Sequence, residues 1–355
     1  MDAALDTGTA SRYYATGCMV RMNGTDTIAD IALEAGVSKS TVSRALNDSP
    51  LISVATKERI RTIARDRRFE MHEPARRLSL GQSNVIALVT HEAPTDPTLT
   101  DAFMLEIISG LSTGLHTTGY DLLLIQASLA DSDWVNRYHG SGRVDGFVVL
   151  GSHCAKRHLK TLVASGTPFV VWGVEPPQQN YSSVSGDNFT GGKIATEHML
   201  RAGRRHIAFV GANEVEAEVD ERYRGYVAAL QEAGLEVAPE RVAFGDWSPT
   251  SAAASMAALL DADPQLDGAF VSSDMMAIAA IELLRSRRRR VPEDVAVVGY
   301  DDVAIAEHCD PPLTTIRQSG HLAGRLLAES VVRTLGSGAV AKVSIPAELV
   351  VRGSA

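Results

Sequence analysis

The sequence predicts two fold types in one chain: a small all-α head at the N-terminus and a larger α/β body behind it. Three observations predict this. Helical periodicity broken by a glycine turn fills Thr27 to about residue 68. Short apolar runs alternate with amphipathic stretches from Asn84 onward. The charge balance changes sign between the two parts. At 355 residues the chain is too long for one ordinary domain. Apolar residues make up 45% but aromatics only 5%, so a core of this size must be filled mostly by Leu, Val, Ile and Ala.

The first 24 residues are polar and patternless, and are read as disordered or as an over-long start, with Met19 and Met22 as alternative initiators. In the head, Thr27 is placed to N-cap a helix, with Asp30 as its capping-box partner. Ile28, Ile31, Ala32 and Ala35 form one apolar face. Gly36 permits a sharp turn, Val37 plugs the angle, and Ser38 caps a second helix whose inner face is Val42, Ala45 and Leu46. Two short helices about a glycine turn make a helix-turn-helix unit. Lys39, Ser40, Ser43 and Arg44 lie on the outer face and N-terminal half of the second helix, where side chains reach base edges. Hydroxyls at a helix start, such as Ser38 and Thr41, suit phosphate. A third helix is expected over residues 54–68, capped by Ser53, with Ile60, Ile63 and Ala64 inward. A three-helix module that binds another protein would share this pattern.

Charge supports the nucleic-acid reading. From Thr27 to Ser83 there are ten Lys and Arg against seven Asp and Glu, whereas from Asn84 to Ala355 there are 22 against 33. A weakly basic head on an acidic body is expected where only the head meets phosphate.

In the body, buried parallel strands are expected at 85–89, 120–125, 146–150, 169–171, 206–210, 241–244, 268–271 and 295–299. Ligands in such sheets bind beyond the carboxyl ends of strands. Polar residues fall at those ends: Asp301 and Asp302 after VVGY, Ser272, Ser273 and Asp274 after AFV, and Trp247 in GDWS. Arg222 precedes YRGY, at the opening of a helix over 225–233. Carboxylates and guanidinium groups bind vicinal hydroxyls, and an indole face covers the apolar side of a pyranose. Plainer roles exist for each. Asp274 and Asp302 read as helix caps, Arg222 with Asp301 as an interlobe ion pair, and Trp247 as core.

The head carries Thr27-Ile28, Asp30-Ile31-Ala32, Ala35-Gly36-Val37-Ser38, Thr41-Val42-Ser43-Arg44 and Leu46-Asn47. This ungapped string resembles the DNA-binding head of the lactose/galactose-repressor (LacI-type) family, and the resemblance runs on for about 330 residues, to the C-terminus. It implies a type I periplasmic-binding-protein-like body of two α/β lobes with a ligand cleft between them. The implied division is a helix-turn-helix domain over 25–70, a hinge helix and linker over 71–83, and an effector-binding and dimerisation domain over 84–355. The implied partners are a homodimeric mate, a pseudo-palindromic operator contacted by Thr27, Ser38, Lys39, Ser40, Thr41, Ser43, Arg44 and Asn47, and a small effector, most readily a mono- or disaccharide.

In the family's hinge, an aromatic is followed by Pro-Asn and Ala-Arg-x-Leu. Phe69, Ala75, Arg76 and Leu78 match, while Met71, His72 and Pro74 depart from it. Leu78 would wedge between base steps in the minor groove. By resemblance, Arg222 and Asp301 hold the main effector-binding positions. Trp247 stands where the family's lactose repressor has a sugar-contacting Trp. Ser273 replaces an Asn, and Gln318 after TTIR is a further pocket residue. In the loop before Phe103 the family's Asn-Pro-Phe-Phe is replaced, with only Phe103 kept. Asp187-Asn188 resembles a structural crossover motif.

Other signals point away from other classes. Cys18, Cys154 and Cys309 show no metal or redox spacing and fit a reducing cytoplasm. No run reaches a membrane span, and no signal-peptide pattern opens the chain. No metal or cofactor is expected. Gly191-Gly192-Lys193 lacks phosphate-loop spacing, and neither GxSxG nor HExxH occurs, which disfavours a nucleotide-dependent enzyme. The run Arg287–Arg290 reads as a solvated helix end, and His91, His153 and His158 as surface residues about the first lobe. No leucine heptads follow ELVVRGSA, so a dimer without a tetramer-forming helix is expected. The remaining alternatives are a sugar receptor without DNA function, and the same regulator with a purine or a protein as co-effector.

Overall fold

The computed structural model describes residues 27–67, 69, 82–91, 101–127, 131, 133–150, 155–174 and 180–355. Outside them lie the expectations for residues 1–24, for Met71, His72, Pro74, Ala75, Arg76 and Leu78, for the loop at 92–100, for His153, and for the side chain of His91. The chain packs as two compact units divided between residues 80 and 81.

The head is α1 (Ile28–Ala35), α2 (Lys39–Leu46) and α3 (Val54–Asp66). Asp30 accepts hydrogen bonds from the Thr27 backbone N–H at 2.8 Å and its hydroxyl at 2.7 Å, fastening the first turn. Gly36 ends α1 in the left-handed region at φ 61°, where a side chain would be strained. Ser38 and Ser53 cap α2 and α3 through Thr41 N–H and Thr56 N–H. Ile31, Val42, Ala45 and Ile60 are fully buried and centre the small core. Arg59 donates to the Ala35 carbonyl at 2.8 Å, putting a cation at the negative pole of α1. Helix α3 stops at Asp66, two residues short of expectation, because Arg67 closes it as C-cap.

The body holds two sheets of the same design. The first lobe contains β1 (Val85–His91), α4 (Ala102–Thr117), β2 (Asp121–Ala127), β3 (Gly146–Leu150), α5 (Ala155–Ser165), β4 (Phe169–Trp172) and β5 (Ser182–Gly186). The chain then crosses to the second lobe: α6 (Asn188–Arg201), β6 (Ile207–Gly211), α7 (Ala217–Glu232), β7 (Val242–Phe244), α8 (Pro249–Ala262), β8 (Gly268–Val271), α9 (Asp274–Ser286), β9 (Ala296–Asp301), α10 (Ile305–His308) and β10 (Thr314–Arg317). It returns through α11 (Gly320–Ser337) and β11 (Lys342–Ile345) to the first lobe, and ends in the second with β12 (Glu348–Val350).

The strand orders are β11-β5-β4-β3-β1-β2 and β12-β10-β9-β8-β6-β7. All pairings are parallel except β10 with β12. Each sheet therefore reverses its winding at one point, between β1 and β3 and between β6 and β8. Such reversals place ligand crevices at the carboxyl ends of strands.

The eight expected strands are present, with bounds that differ from expectation by at most two residues. Strands β5, β10, β11 and β12 were not foreseen. Close helix pairs flank both sheets. A Cβ on Gly110 would overlap the His321 carbonyl oxygen, and one on Gly324 that of Ile107, so α4 and α11 touch backbone to backbone. Gly192 against the Arg222 carbonyl and Gly225 against that of Phe189 do the same for α6 and α7. Gly192 is thus a packing residue in a helix. His158, expected at the surface, is buried edge-on against the Trp134 ring at 5.4 Å. Among the described residues no helix is long and apolar enough to cross a membrane, and no group of three or more His, Cys, Asp and Glu side chains could hold a metal ion.

Candidate functional site

The head presents one polar face. Thr27, Ser38, Lys39, Ser40 and Arg44 are exposed, and Thr41, Ser43 and Asn47 are half-buried. The three hydroxyls at the start of α2 are mutually ordered, with Ser38 Oγ 2.8 Å from Ser40 Oγ and 2.9 Å from Thr41 Oγ1. Helix α2 buries Val42 and Ala45 and turns Lys39, Ser40 and Arg44 to solvent, as a groove-reading helix must.

The second cluster lies at the carboxyl ends of the second lobe's strands. Arg222 does not open a helix at 225 as expected; it sits in the second turn of α7 and is 4% exposed. Its Nε donates to Asn188 Oδ1 at 2.8 Å and its Nη1 to the Ser272 carbonyl at 2.5 Å. The guanidinium carbon lies 3.6 Å from the Tyr300 ring centroid and 5.9 Å from that of Trp247. A buried cation is tolerated only when so enclosed by acceptors and π-faces.

Asp301 ends β9 beside it, 7% exposed, with its Oδ1 accepting from Gln318 Nε2 at 2.7 Å. No ion pair within 4 Å joins Arg222 to Asp301 among the described residues, and both belong to the second lobe, so the interlobe salt bridge considered above is not formed. Burial raises the Asp301 pKa well above the usual carboxylate range, with Arg222 opposing. Asp301 and Trp247 adopt positive φ, 113° and 65°, a cost for non-glycine residues that concentrates at functional sites. Tyr300 Oη and Gln318 Oε1 are buried without a hydrogen-bond partner.

Trp247 packs half-buried on the second lobe's core and donates from Nε1 to Glu216 Oε2 at 2.8 Å. Phe103 is buried against Trp172, with ring centroids 5.7 Å apart. Ser273 is the N-cap of α9, accepting from Met276 N–H at 3.3 Å. Asp274 and Asp302 are not caps. Asp274 is fully buried, accepting from Val303 N–H at 2.9 Å and Thr315 Oγ1 at 2.5 Å, while Asp302 pairs with Arg317 and Arg352 at 2.7 Å each. Asp187 caps α6 at the first crossover through Thr190 N–H.

The structure adds Asn188, Tyr300, Glu216 and Asp101 to the neighbourhood. Asn188, part of the expected crossover motif, orients Arg222. Asp101 caps α4 from the first lobe, and burial raises its pKa while Arg222 lowers it across the cleft. The lobes also meet where Val174 N–H donates to Glu218 Oε1 at 3.2 Å. Asn188 carried a sequence signal in the Asp187-Asn188 motif, and Tyr300 one as the aromatic immediately before Asp301.

Burial raises the Glu216 pKa to about 7, against the opposing Trp247 bond. Between pH 4.5 and 7 the folded state therefore holds this proton more tightly than the unfolded chain does. The stability present below that window is lost as pH rises through it, by an amount on the order of 1–3 kcal/mol. Glu216→Gln keeps an acceptor for Trp247. It is expected to flatten this part of the curve of melting temperature against pH; an unchanged slope would remove Glu216 as the cause.

Comparison with known proteins agrees with this geometry. Residues 27–70 match the model for bacterial regulatory proteins of the lacI family, and residues 196–355 match that for a periplasmic binding protein-like domain. The chain is 36% identical over 310 residues to the transcriptional regulator CelR of Thermobifida fusca, covering 86% of this chain and 91% of that protein. It is 30% identical over 340 residues to the transcriptional repressor PurR of Haemophilus influenzae, covering 92% and 98%. A solved CelR–cellobiose complex superposes with a TM-score of 0.71 at 31% identity, covering 93% of this chain and all of that one. A lac repressor dimer bound to operator and the anti-inducer ONPF superposes at 0.77, with 23% identity and coverage of 93% and 99%, a likeness of fold. A head that folds as a helix-turn-helix, a two-lobed body and relatives of this identity along most of the chain place the protein in the LacI family, as a DNA-binding transcription regulator with an effector-binding domain and not an enzyme.

Proposed function

We propose that this regulator is a homodimeric repressor whose two heads hold a pseudo-palindromic operator, and that a mono- or disaccharide bound between the lobes sets its operator affinity. The observation that carries the effector reading is the enclosed Arg222 guanidinium beside Asp301, with Gln318 Oε1 and Tyr300 Oη left unpaired at the same strand ends. A cation and a carboxylate together suit vicinal hydroxyls, which both donate and accept. Trp247 offers an apolar face, and Phe103 at the start of α4 and Ser273 at the start of α9 are the further effector residues in this reading. Asp101 and Asp301 disfavour an anionic effector. Cellobiose, present in the CelR complex, is the first sugar to try.

In this reading residues 25–70 bind DNA and 84–355 bind effector and partner. Residues 71–83, with Arg76 and Leu78, form the hinge that settles in the minor groove when two heads are held together. A sugar that induces must favour the state whose hinges are unformed, and one that co-represses the opposite state, because equal affinity for both states regulates nothing.

The test has two parts. A thermal-shift screen of mono- and disaccharides should yield a sugar that raises the melting temperature. That sugar should then change fluorescence anisotropy on a duplex which the protein has selected from random sequence. A monomer that retains no duplex at low salt would end the reading. Arg44→Ala is expected to weaken operator binding by about 1–3 kcal/mol per head, the worth of a base-edge contact, with the sugar response intact. An unchanged binding isotherm would remove Arg44 from the interface.

A further inference from the structure

We infer that the second lobe carries a separate site for the phosphate monoester of a small metabolite, in an arginine-walled cavity at the end of the sheet away from the cleft. Helix α9 starts at the cleft, with Ser273 and Asp274, and runs about 20 Å to the opposite edge, where β9 begins. At that edge lies a cavity of about 460 Å³, within the size range of small-molecule sites. Arg285, Arg288, Arg289 and Arg290 line it against only two carboxylates, Glu293 and Asp310, and Ile281, Val291 and Pro311 form its apolar side.

The four guanidinium groups are not equally engaged. Arg285 is held by Asp310 at 2.8 Å and Arg290 by Asp294 at 2.8 Å. Arg289 donates from Nη2 to the Leu266 carbonyl at 2.9 Å, while its Nε is buried with no partner. Arg288 is exposed and forms no side-chain hydrogen bond or ion pair among the described residues. The backbone at Arg288 sharpens the point. It lies just past the C-terminus of α9 at φ 58°, the left-handed position where helices usually place glycine. An arginine there costs about 1 kcal/mol relative to glycine, and among the described residues no side-chain hydrogen bond or ion pair offsets it. A dianionic phosphate would take the free fork of Arg288, with the Arg289 charge behind it, and the apolar side would receive the carbon frame.

This site stands independently of the effector reading, and its test is built to keep the two apart. Calorimetry on the full chain with glucose 6-phosphate should show saturable binding, with inorganic phosphate weaker and glucose silent at this site. Arg288→Gly should weaken glucose 6-phosphate binding at least tenfold without lowering the melting temperature, because glycine suits the backbone at that position. Arg222→Ala should leave the phosphate binding in place. No saturable heat from either phosphate would overturn the proposal. So would binding that survives Arg288→Gly, binding lost with Arg222→Ala, or inorganic phosphate binding as tightly as the sugar phosphate.

Discussion

Arg222→Ala is expected to abolish the effector response while leaving operator binding intact. Among the described residues Arg222 is the guanidinium that faces Asp301, Tyr300 and Trp247 together, and its contacts fix it before any ligand arrives. Loss of charge-assisted bonds from a buried, pre-oriented cation should lower sugar affinity by roughly 3 kcal/mol, about 100-fold. The substitution also leaves Asn188 Oδ1 and the Ser272 carbonyl without their donor. A fall in stability of about 1–3 kcal/mol should accompany it. Arg222→Lys restores charge but not two directed bonds, so it should recover stability better than response. The measurement is an operator titration by anisotropy, with and without the sugar that gives the largest thermal shift. A variant induced like the parent would take Arg222 out of the site.

Gly192→Ala should be among the most damaging methyl additions available. A Cβ there would overlap the backbone carbonyl oxygen of Arg222, and backbone inside a helix pair has no rotamer by which to yield. Helices α6 and α7 must separate, at a cost of about 3 kcal/mol, which for a body of this size is roughly 5–10 °C in melting temperature. Because the displaced residue is Arg222, sugar affinity should fall with stability. Gly336→Ala in α11 is the control. A Cβ there meets nothing within 4 Å, and the change should be neutral or stabilise by up to ~1 kcal/mol. A melting temperature for Gly192→Ala within a degree of the parent would refute the close-packing account.

The sites differ in how legible they were. The head's polar face follows from local rules alone. Thr27, Gly36, Ser38 and Ser53 act within one or two turns of themselves, so caps, turn and outward face could be read in order. In the body, Arg222 and Asp301 stood out as polar residues near strand ends and again by resemblance, but their surroundings were not reachable at all. Asn188 lies 34 residues from the guanidinium it orients, and Gln318 lies 17 from the carboxylate it holds. Asp274 and Asp302 stand near helix starts and were read as caps, yet they are spent on Val303, Thr315, Arg317 and Arg352, which only the folded sheet brings near.

Strand β5 shows the same limit from the side of secondary structure. Ser182 and Ser183 lack the apolar run that marks a buried strand, yet both are buried in β5. The Ser182 hydroxyl meets that of Thr334 at 2.9 Å, and β11 arrives from more than 150 residues away to pair with the strand. Period, capping and charge, which act between near neighbours, determined from sequence alone that a helix-turn-helix head precedes an α/β body built of parallel strands. Which side chains converge at the strand ends, which carboxylates are consumed by structure, and how closely α6 lies on α7 were decided by tertiary contact. Those contacts depend on distances through space, which spacing along the chain does not encode.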